Sequence, residues 1–408
     1  MRRVVVTGMA GISPIGSSWS EIEQSLHAGR NAVQIMEPWK KIEGLNTSLG
    51  APITDFEPPE HYTRKRKRSM GRVALLAVRA AELALDQAGL LDDPEIKLGR
   101  TGVSFGSSSG SPPATLEIAS MVADHSTDRM NATSYVRMMS HTAAVNIGVF
   151  FGLTGRVIPT STACTAGSQG IGYAYESIRF DKQDIMIAGG AEELCASQAA
   201  VFDTLYATST KNDAPESTPK PFDIGRDGLV LGEGAGAIIL EERERALARG
   251  ATVYAELVGY ETNSDGLHIT RPNQETMARC LQGSLDDAGL KASAIGYVNA
   301  HGTATEFGDI AESNATADVL GKGKPVSSLK SYMGHTLGAC GALEAWIAIE
   351  MMNSDWYAPT INLQNLDPRC GDLDFIMDVG REMSNDFVMS NNFAFGGINT
   401  SLIFRRTI

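Results

Sequence analysis

Apolar positions along this chain follow two rhythms, short runs of β-branched and small residues and longer stretches with a period near 3.6, which predict strands and helices in turn. Val4-Val5-Val6-Thr7-Gly8 reads as a short buried strand, and Trp19 to Leu26 follows with helical spacing. Residues 30 to 63 carry prolines at 38, 52, 58 and 59 and read as irregular. Val73 to Leu90 is an alanine- and leucine-rich amphipathic helix closed by Gly89. Thr101 to Gly106 predicts a strand running into the small-residue loop Ser107 to Pro112, and Met138 to Phe151 a buried helix. Strands at Asp184–Gly190 and Gly234–Leu240 complete this half. The plan then repeats, with strand Val253–Gly259, helix Met277–Ala288, strands Ile295–Ala300 and Val326–Leu329, helix Gly338–Met352, and a terminal hairpin of Asp386–Ser390 and Ile398–Phe404 around Asn391 to Gly397. This alternation predicts an α/β protein of two halves, residues 1–250 and 251–408, with the site where they meet.

With 408 residues, 43% hydrophobic and 20% charged, the chain can bury a large core. No apolar run reaches membrane-spanning length, and Val4-Val5-Val6 behind Met1-Arg2-Arg3 is too brief for a signal segment, so a soluble, cytoplasmic protein is expected. The five cysteines are odd in number, scattered and never in a CxxC spacing, which argues against a disulfide framework or a metal site. A formal charge of −13 argues against nucleic-acid binding. One exception is local: Arg64-Lys65-Arg66-Lys67-Arg68, followed by Arg72, is either a solvated face or a docking patch for an acidic partner.

The stretch from Pro159 to Gly172 is a strand, a turn and a helix, with Cys164 at the turn. A thiol there meets the positive end of the helix dipole, which favours thiolate and lowers the pKa. Cysteine is also a common buried filler, so Cys164 alone leaves both roles open. Other strand ends carry His301 in Asn299 to Thr305, Lys330 and His335 in Ser328 to His335, and the Phe393 to Gly397 loop. A thiolate with two imidazoles suits thioester chemistry in which an enolate oxygen is stabilised as carbon dioxide departs. Lys330 and Glu344 are placed to form a buried ion pair that orients His335.

Together these motifs resemble a β-ketoacyl-[acyl carrier protein] synthase of the elongating Cys-His-His type. The resemblance spans essentially the whole chain: Val4 to Met9, Thr162-Ala163-Cys164, Ala188-Gly189-Gly190-Ala191-Glu192-Glu193, His301-Gly302-Thr303-Ala304-Thr305, Gly334-His335-Thr336-Leu337-Gly338-Ala339 and the closing Phe393 to Gly397. It implies a thiolase-like fold of five layers, αβαβα, and no bound cofactor or metal, since substrates arrive on the phosphopantetheine of an acyl carrier protein. Cys164 would take the acyl group. His301 and His335 would bind the malonyl thioester carbonyl, supported by Lys330 and Glu344, and the amides of Cys164 and Phe395 would form the oxyanion hole. Thr303 and Thr305 would hold the pantetheine arm. Phe395 and Phe393 would gate entry, Ser108 would line the acyl pocket, and Lys65, Arg68, Arg64 and Lys67 would receive the carrier protein. A homodimer, or a heterodimer with a homologous chain-length subunit, is expected, with no nucleic-acid or membrane partner.

The departures from the family pattern are Ala394 in place of a glycine, Tyr332-Met333 beside His335, and Glu306 after the threonines. Ala394 disfavours positive φ and predicts a stiffer gate. Small residues from Gly106 to Ser111 leave room for a long or rigid chain, so both fatty acid biosynthesis and a specialised synthase making a polyene or polyketide stay open. A non-catalytic chain-length subunit would lack the nucleophile. A degradative thiolase would need a second cysteine in the Phe393 loop, and an initiating synthase an asparagine at His335.

Overall fold

The structure, a computed structural model, describes residues 1–407. Eleven strands pair into one mixed sheet. In chain order they are β1 (Val4–Ile12), β2 (Thr101–Gly106), β3 (Val157–Thr160), β4 (Ile185–Glu192), β5 (Gly234–Glu242), β6 (Ala255–Ser264), β7 (Tyr297–Asn299), β8 (Pro325–Ser327), β9 (Asp374–Phe375), β10 (Phe387–Ala394) and β11 (Ile398–Arg405). Their spatial order is β9-β8-β7-β10-β11-β6-β1-β5-β4-β2-β3. Either end is parallel, through β2, β3 and β4 on one side and β7, β8, β9 and β10 on the other. The middle is antiparallel, and β1 joins the wings by pairing with both β5 and β6.

Helices α1 (Arg72–Gln87), α2 (Ala166–Arg179), α3 (Gln274–Ala288), α4 (Glu306–Leu320) and α5 (Cys340–Asn353) supply the remaining layers. α1 covers β1 and β5, α3 covers β6 and β11, and α2 and α5 lie between the wings, α5 touching both β5 and β10. The layers therefore run helix, sheet, helix, sheet, helix. A helix walled by sheet on two sides has no wet face, so α5 shows no amphipathic stripe and buries Leu343, Trp346, Ile347, Ile349 and Met351 alike. Gly190 of β4 lets the chain before α5 approach closely, since a Cβ there would sit 2.1 Å from the Gly338 carbonyl oxygen.

Several elements differ from the periodicity. Met138 to Phe151 is broken into Ser134–Met138 and Thr142–Phe151, with Met139 extended between them. The irregular region contains short strands at Gln34–Ile35 and Leu49–Ala51, and the basic run itself forms a helical turn, Arg64–Lys67, capped by the Thr63 side chain. Asn391 to Ala394 continue β10 instead of forming a loop. No described helix is long and apolar enough to cross a membrane.

Candidate active site

Cys164 sits in a tight turn, Ala163–Thr165, at the start of α2. Ala163 holds φ +51°, a left-handed conformation that costs a non-glycine residue about 1 kcal/mol or more. Side chains brace the turn: the Thr160 hydroxyl donates to the Ala166 carbonyl at 2.7 Å, the Thr165 hydroxyl to the Thr162 carbonyl at 2.8 Å, and Ser168 pairs with Thr400 of β11 at 2.7 Å. The thiol is buried. Here the expected depression of its pKa is reversed: burial pushes Cys164 up to about 11, against the pull of the Lys330 charge and of the amides of Phe395 and Cys164 itself.

His335 follows a short helical turn, Lys330–Met333, and is pinned through its backbone, its N–H donating to the Val230 carbonyl at 2.7 Å. The Leu337 N–H donates to Nδ1 at 3.2 Å, so Nδ1 is the acceptor and the ring proton lies on Nε2. Nε2 in turn lies 2.9 Å from the Cys164 sulfur, as a donor to it. Burial and the Lys330 charge hold His335 well below the usual histidine range, hence neutral.

His301 lies two residues beyond the end of β7, its ring edge-on to that of His335 with centroids 5.2 Å apart. α4 holds its turn: Glu312 accepts the N–H groups of His301 and Gly302 at 2.6 and 2.7 Å. Asp309 accepts those of Thr303 and Ala304 at 3.0 and 3.2 Å. Burial raises both carboxyls, Glu312 to about 8 and Asp309 to about 6. His301 is lowered by burial, Lys330 and His335, and is neutral too.

Lys330 and Glu344 form the anticipated ion pair, both fully buried. Its place differs from expectation: Glu344 reaches His301 through Asn392, while His335 is oriented by Leu337. Leu337 lies in the Gly334 to Ala339 motif and Asn392 in the Asn391 to Gly397 stretch, but the sequence assigned neither a role, and Glu312 and Asp309 carry no motif of their own.

These groups face a cleft of about 650 Å³ lined by Cys164, His301, His335, Thr303, Thr305 and Phe393, with Phe395 at one side. The hydroxyls of Thr303 and Thr305 pair at 2.9 Å. Phe395 stacks on Phe202 with centroids 4.9 Å apart. Ala394 is not required to take a positive φ, which in this loop falls on Gly396 (+89°) and Gly397 (+70°). Ser108 is not part of this lining; its N–H donates to Glu192 at 2.9 Å. Tyr332 and Met333 belong to the core, the Tyr332 hydroxyl pointing to the Leu26 carbonyl, and Glu306 pairs at the surface with Arg369. In the basic turn Arg64, Lys65 and Arg68 are exposed and Lys67 partly so. Arg66 is tied back, its guanidinium 3.6 Å from the Phe150 ring centre.

The Cys164 sulfur and the two imidazoles offer donor atoms within 4.8 Å of one another. Their spacing does not match tetrahedral zinc, whose ligands stand about 3.5 Å apart. Cys164 and His335 are at 2.9 Å with a proton between them.

The family model described as beta-ketoacyl synthase, N-terminal domain, matches residues 1–246, and the C-terminal domain model matches residues 254–364. The 3-oxoacyl-[acyl-carrier-protein] synthase 1 of Haemophilus influenzae is 36% identical, the alignment covering 100% of this chain and 99% of the relative. The crystal structure of a beta-ketoacyl synthase from Burkholderia phymatum is 58% identical with a TM-score of 0.99, covering 100% of both chains. The ishigamide ketosynthase/chain length factor is 32% identical with a TM-score of 0.90, again over 100% of both.

Proposed function

This chain belongs to the β-ketoacyl synthase family, and on that premise we propose that it joins an acyl group held on Cys164 to a malonyl unit carried by an acyl carrier protein. The observation that carries the reading is the convergence of two neutral imidazoles on one buried thiol, His335 presenting its Nε2 proton to the sulfur and His301 standing edge-on beside it.

In the first half-reaction the Cys164 sulfur attacks the acyl thioester carbonyl. The carbonyl electron pair moves to oxygen, where the amides of Cys164 and Phe395 receive it, and returns as the carrier's sulfur departs. His335 cannot take the thiol proton, because its Nε2 already bears one and its Nδ1 is occupied by Leu337. That proton ends on the departing carrier thiol. Stabilisation of the sulfur comes from the His335 proton, the start of α2 and the Lys330 charge, which together oppose the burial that raises its pKa. In the second half the malonyl carboxylate leaves as carbon dioxide. Its bonding pair moves toward the thioester oxygen, held by the Nε2 protons of His301 and His335. The carbanion then attacks the Cys164 thioester, a carbon–carbon bond forms, and Cys164 leaves as thiolate. The product is a 3-oxoacyl chain longer by two carbons.

Thr303 and Thr305 line the cleft wall with their hydroxyls paired, which supports a role in hydrogen-bonding the pantetheine arm, with Phe395 and Phe393 as the gate. The exposed cations Arg64, Lys65 and Arg68, with the partly exposed Lys67, are proposed as the carrier-protein dock. End strand β3 exposes Val157 at 43%, beside exposed Val149, which supports a dimer formed along that edge. The full-length likeness to the ishigamide ketosynthase/chain length factor favours a second reading, the catalytic half of a heterodimer. Cys164→Ala should abolish condensation of acyl- and malonyl-acyl carrier protein, followed by mass spectrometry of the carrier-bound product. Full product formation by that variant refutes the reading. A parent that is inactive until a homologous subunit is added supports the heterodimer.

A further inference from the structure

The amide of Asn392, at the cleft end of β10, sits where three acceptors converge. Its Nδ2 lies 2.7 Å from Glu344 Oε2, 3.4 Å from His301 Nδ1 and 3.7 Å from the Cys340 sulfur. The orientation is settled by charge, since the reversed amide would press its oxygen on the Glu344 carboxylate. One Nδ2 proton goes to Glu344, and the other points at His301 with Cys340 beside it. Asn392 is fully buried and its Oδ1 has no hydrogen-bond partner among the described residues. An unmet buried acceptor costs stability, so a side chain kept only to fill this space would be apolar.

We infer that Asn392 is a positioning residue that connects the Lys330–Glu344 pair to His301 and holds His301 as the tautomer with its proton on Nε2, facing the cleft. A donor against Nδ1 excludes a proton there. The inference rests on the proposed condensing reaction, in which His301 must donate to the enolate oxygen. It assigns the tautomer of His301 to Asn392 just as Leu337 sets that of His335. The charged and titratable groups around His301 are Lys330 and His335, Glu312 from α4, Glu344 and Cys340 from α5, and Cys164 from its turn.

The test separates the two chemical steps. Decarboxylation of malonyl-acyl carrier protein reads the imidazoles, alkylation of Cys164 by iodoacetamide reads the nucleophile, and a melting curve reads the fold. Asn392→Ser should slow decarboxylation at least tenfold, short of the roughly thousandfold lost when an oxyanion donor is removed outright. Alkylation should stay within about twofold. Asn392→Asp keeps the side-chain shape; the new carboxyl oxygen faces Glu344, with which it must share a proton, and its remaining lone pair is an acceptor against Nδ1. The neutral ring then carries its proton on Nδ1, and Nε2 regains one only on protonation. Decarboxylation by this variant should therefore rise as pH falls from about 9 to about 6, while the parent stays flat. A purely structural role would lower activity without reshaping the pH profile. Asn392 variants whose decarboxylation and profile match the parent overturn the inference, as does a parallel loss of decarboxylation, alkylation and melting temperature. A parent that does not decarboxylate malonyl-carrier protein at all would instead overturn the proposed function.

Discussion

Replacing Lys330 by methionine removes one partner of a pair that is out of reach of water, Lys330 being 1% exposed and Glu344 not at all. Breaking such a pair from one side leaves an uncompensated buried charge, a loss of about 3–5 kcal/mol. With an unfolding entropy of about 2.1 cal/mol/K per residue over 408 residues, this corresponds to a fall in melting temperature of about 4–6 °C. The sign of the pH dependence follows from the orphan. Burial raises the Glu344 pKa even with Lys330 present, so without it the folded protein binds a proton that the unfolded chain would release. Stability of the variant should therefore recover as pH falls and worsen as pH rises through the neutral range. Adding Glu344→Gln removes the orphan, and the double variant should regain most of the loss, a coupling of at least about 2 kcal/mol in a thermal or urea cycle. Chemistry separates from stability in the same set. Both Lys330 variants lose the cation that draws the Cys164 pKa down, so iodoacetamide alkylation should slow in the double variant despite its restored fold. Additive single effects, or a destabilisation indifferent to pH, would refute the assignment of a mutually dependent pair.

Other outcomes follow from single contacts. Glu192 is buried and pushed up to about 7, so it binds a proton more readily folded than unfolded, and it erodes stability as pH climbs from about 4.5 to 7. Glu192→Gln should raise the melting temperature at pH 8, by up to about 3 kcal/mol of stability, and change little at pH 5; Gln198, whose Oε1 is unpaired, can turn to accept the new amide. Lys65→Glu with Arg68→Glu should raise KM for carrier-bound substrates with kcat and melting temperature held, an effect that shrinks with added salt. Arg66→Ala should instead lower the melting temperature, because that side chain covers Phe150 and donates to its carbonyl.

The strands of this fold were legible wherever one pattern had one cause. Thr101–Gly106 is a fully buried parallel strand, and its run of small and apolar residues marks both ends. The nucleophile was legible for the same reason, a lone cysteine between a strand and a helix, yet its pKa was misjudged because the helix dipole is visible in sequence and burial is not. α4 escaped notice since its inward face carries Asp309, Glu312, Ser313 and Thr316 among alanines, which cancels the apolar stripe that announces a helix. Pro112–Asp124 was lost differently: it starts at Pro112-Pro113, a pair that also marks loops, and buries little. Asn391-Asn392 looked like a turn and lies in mid-strand. The polar residues that hid α4 and the end of β10 are the ones that hold His301: Glu312 and Asp309 seat its turn, and Asn392 meets its Nδ1. A buried polar side chain breaks periodicity and also costs stability unless it is satisfied, so a well-formed element with a polar inner face is where a chain spends stability on its site. By that criterion the misread segments around β7 point to the second half-reaction, and the readable turn at Cys164 to the first.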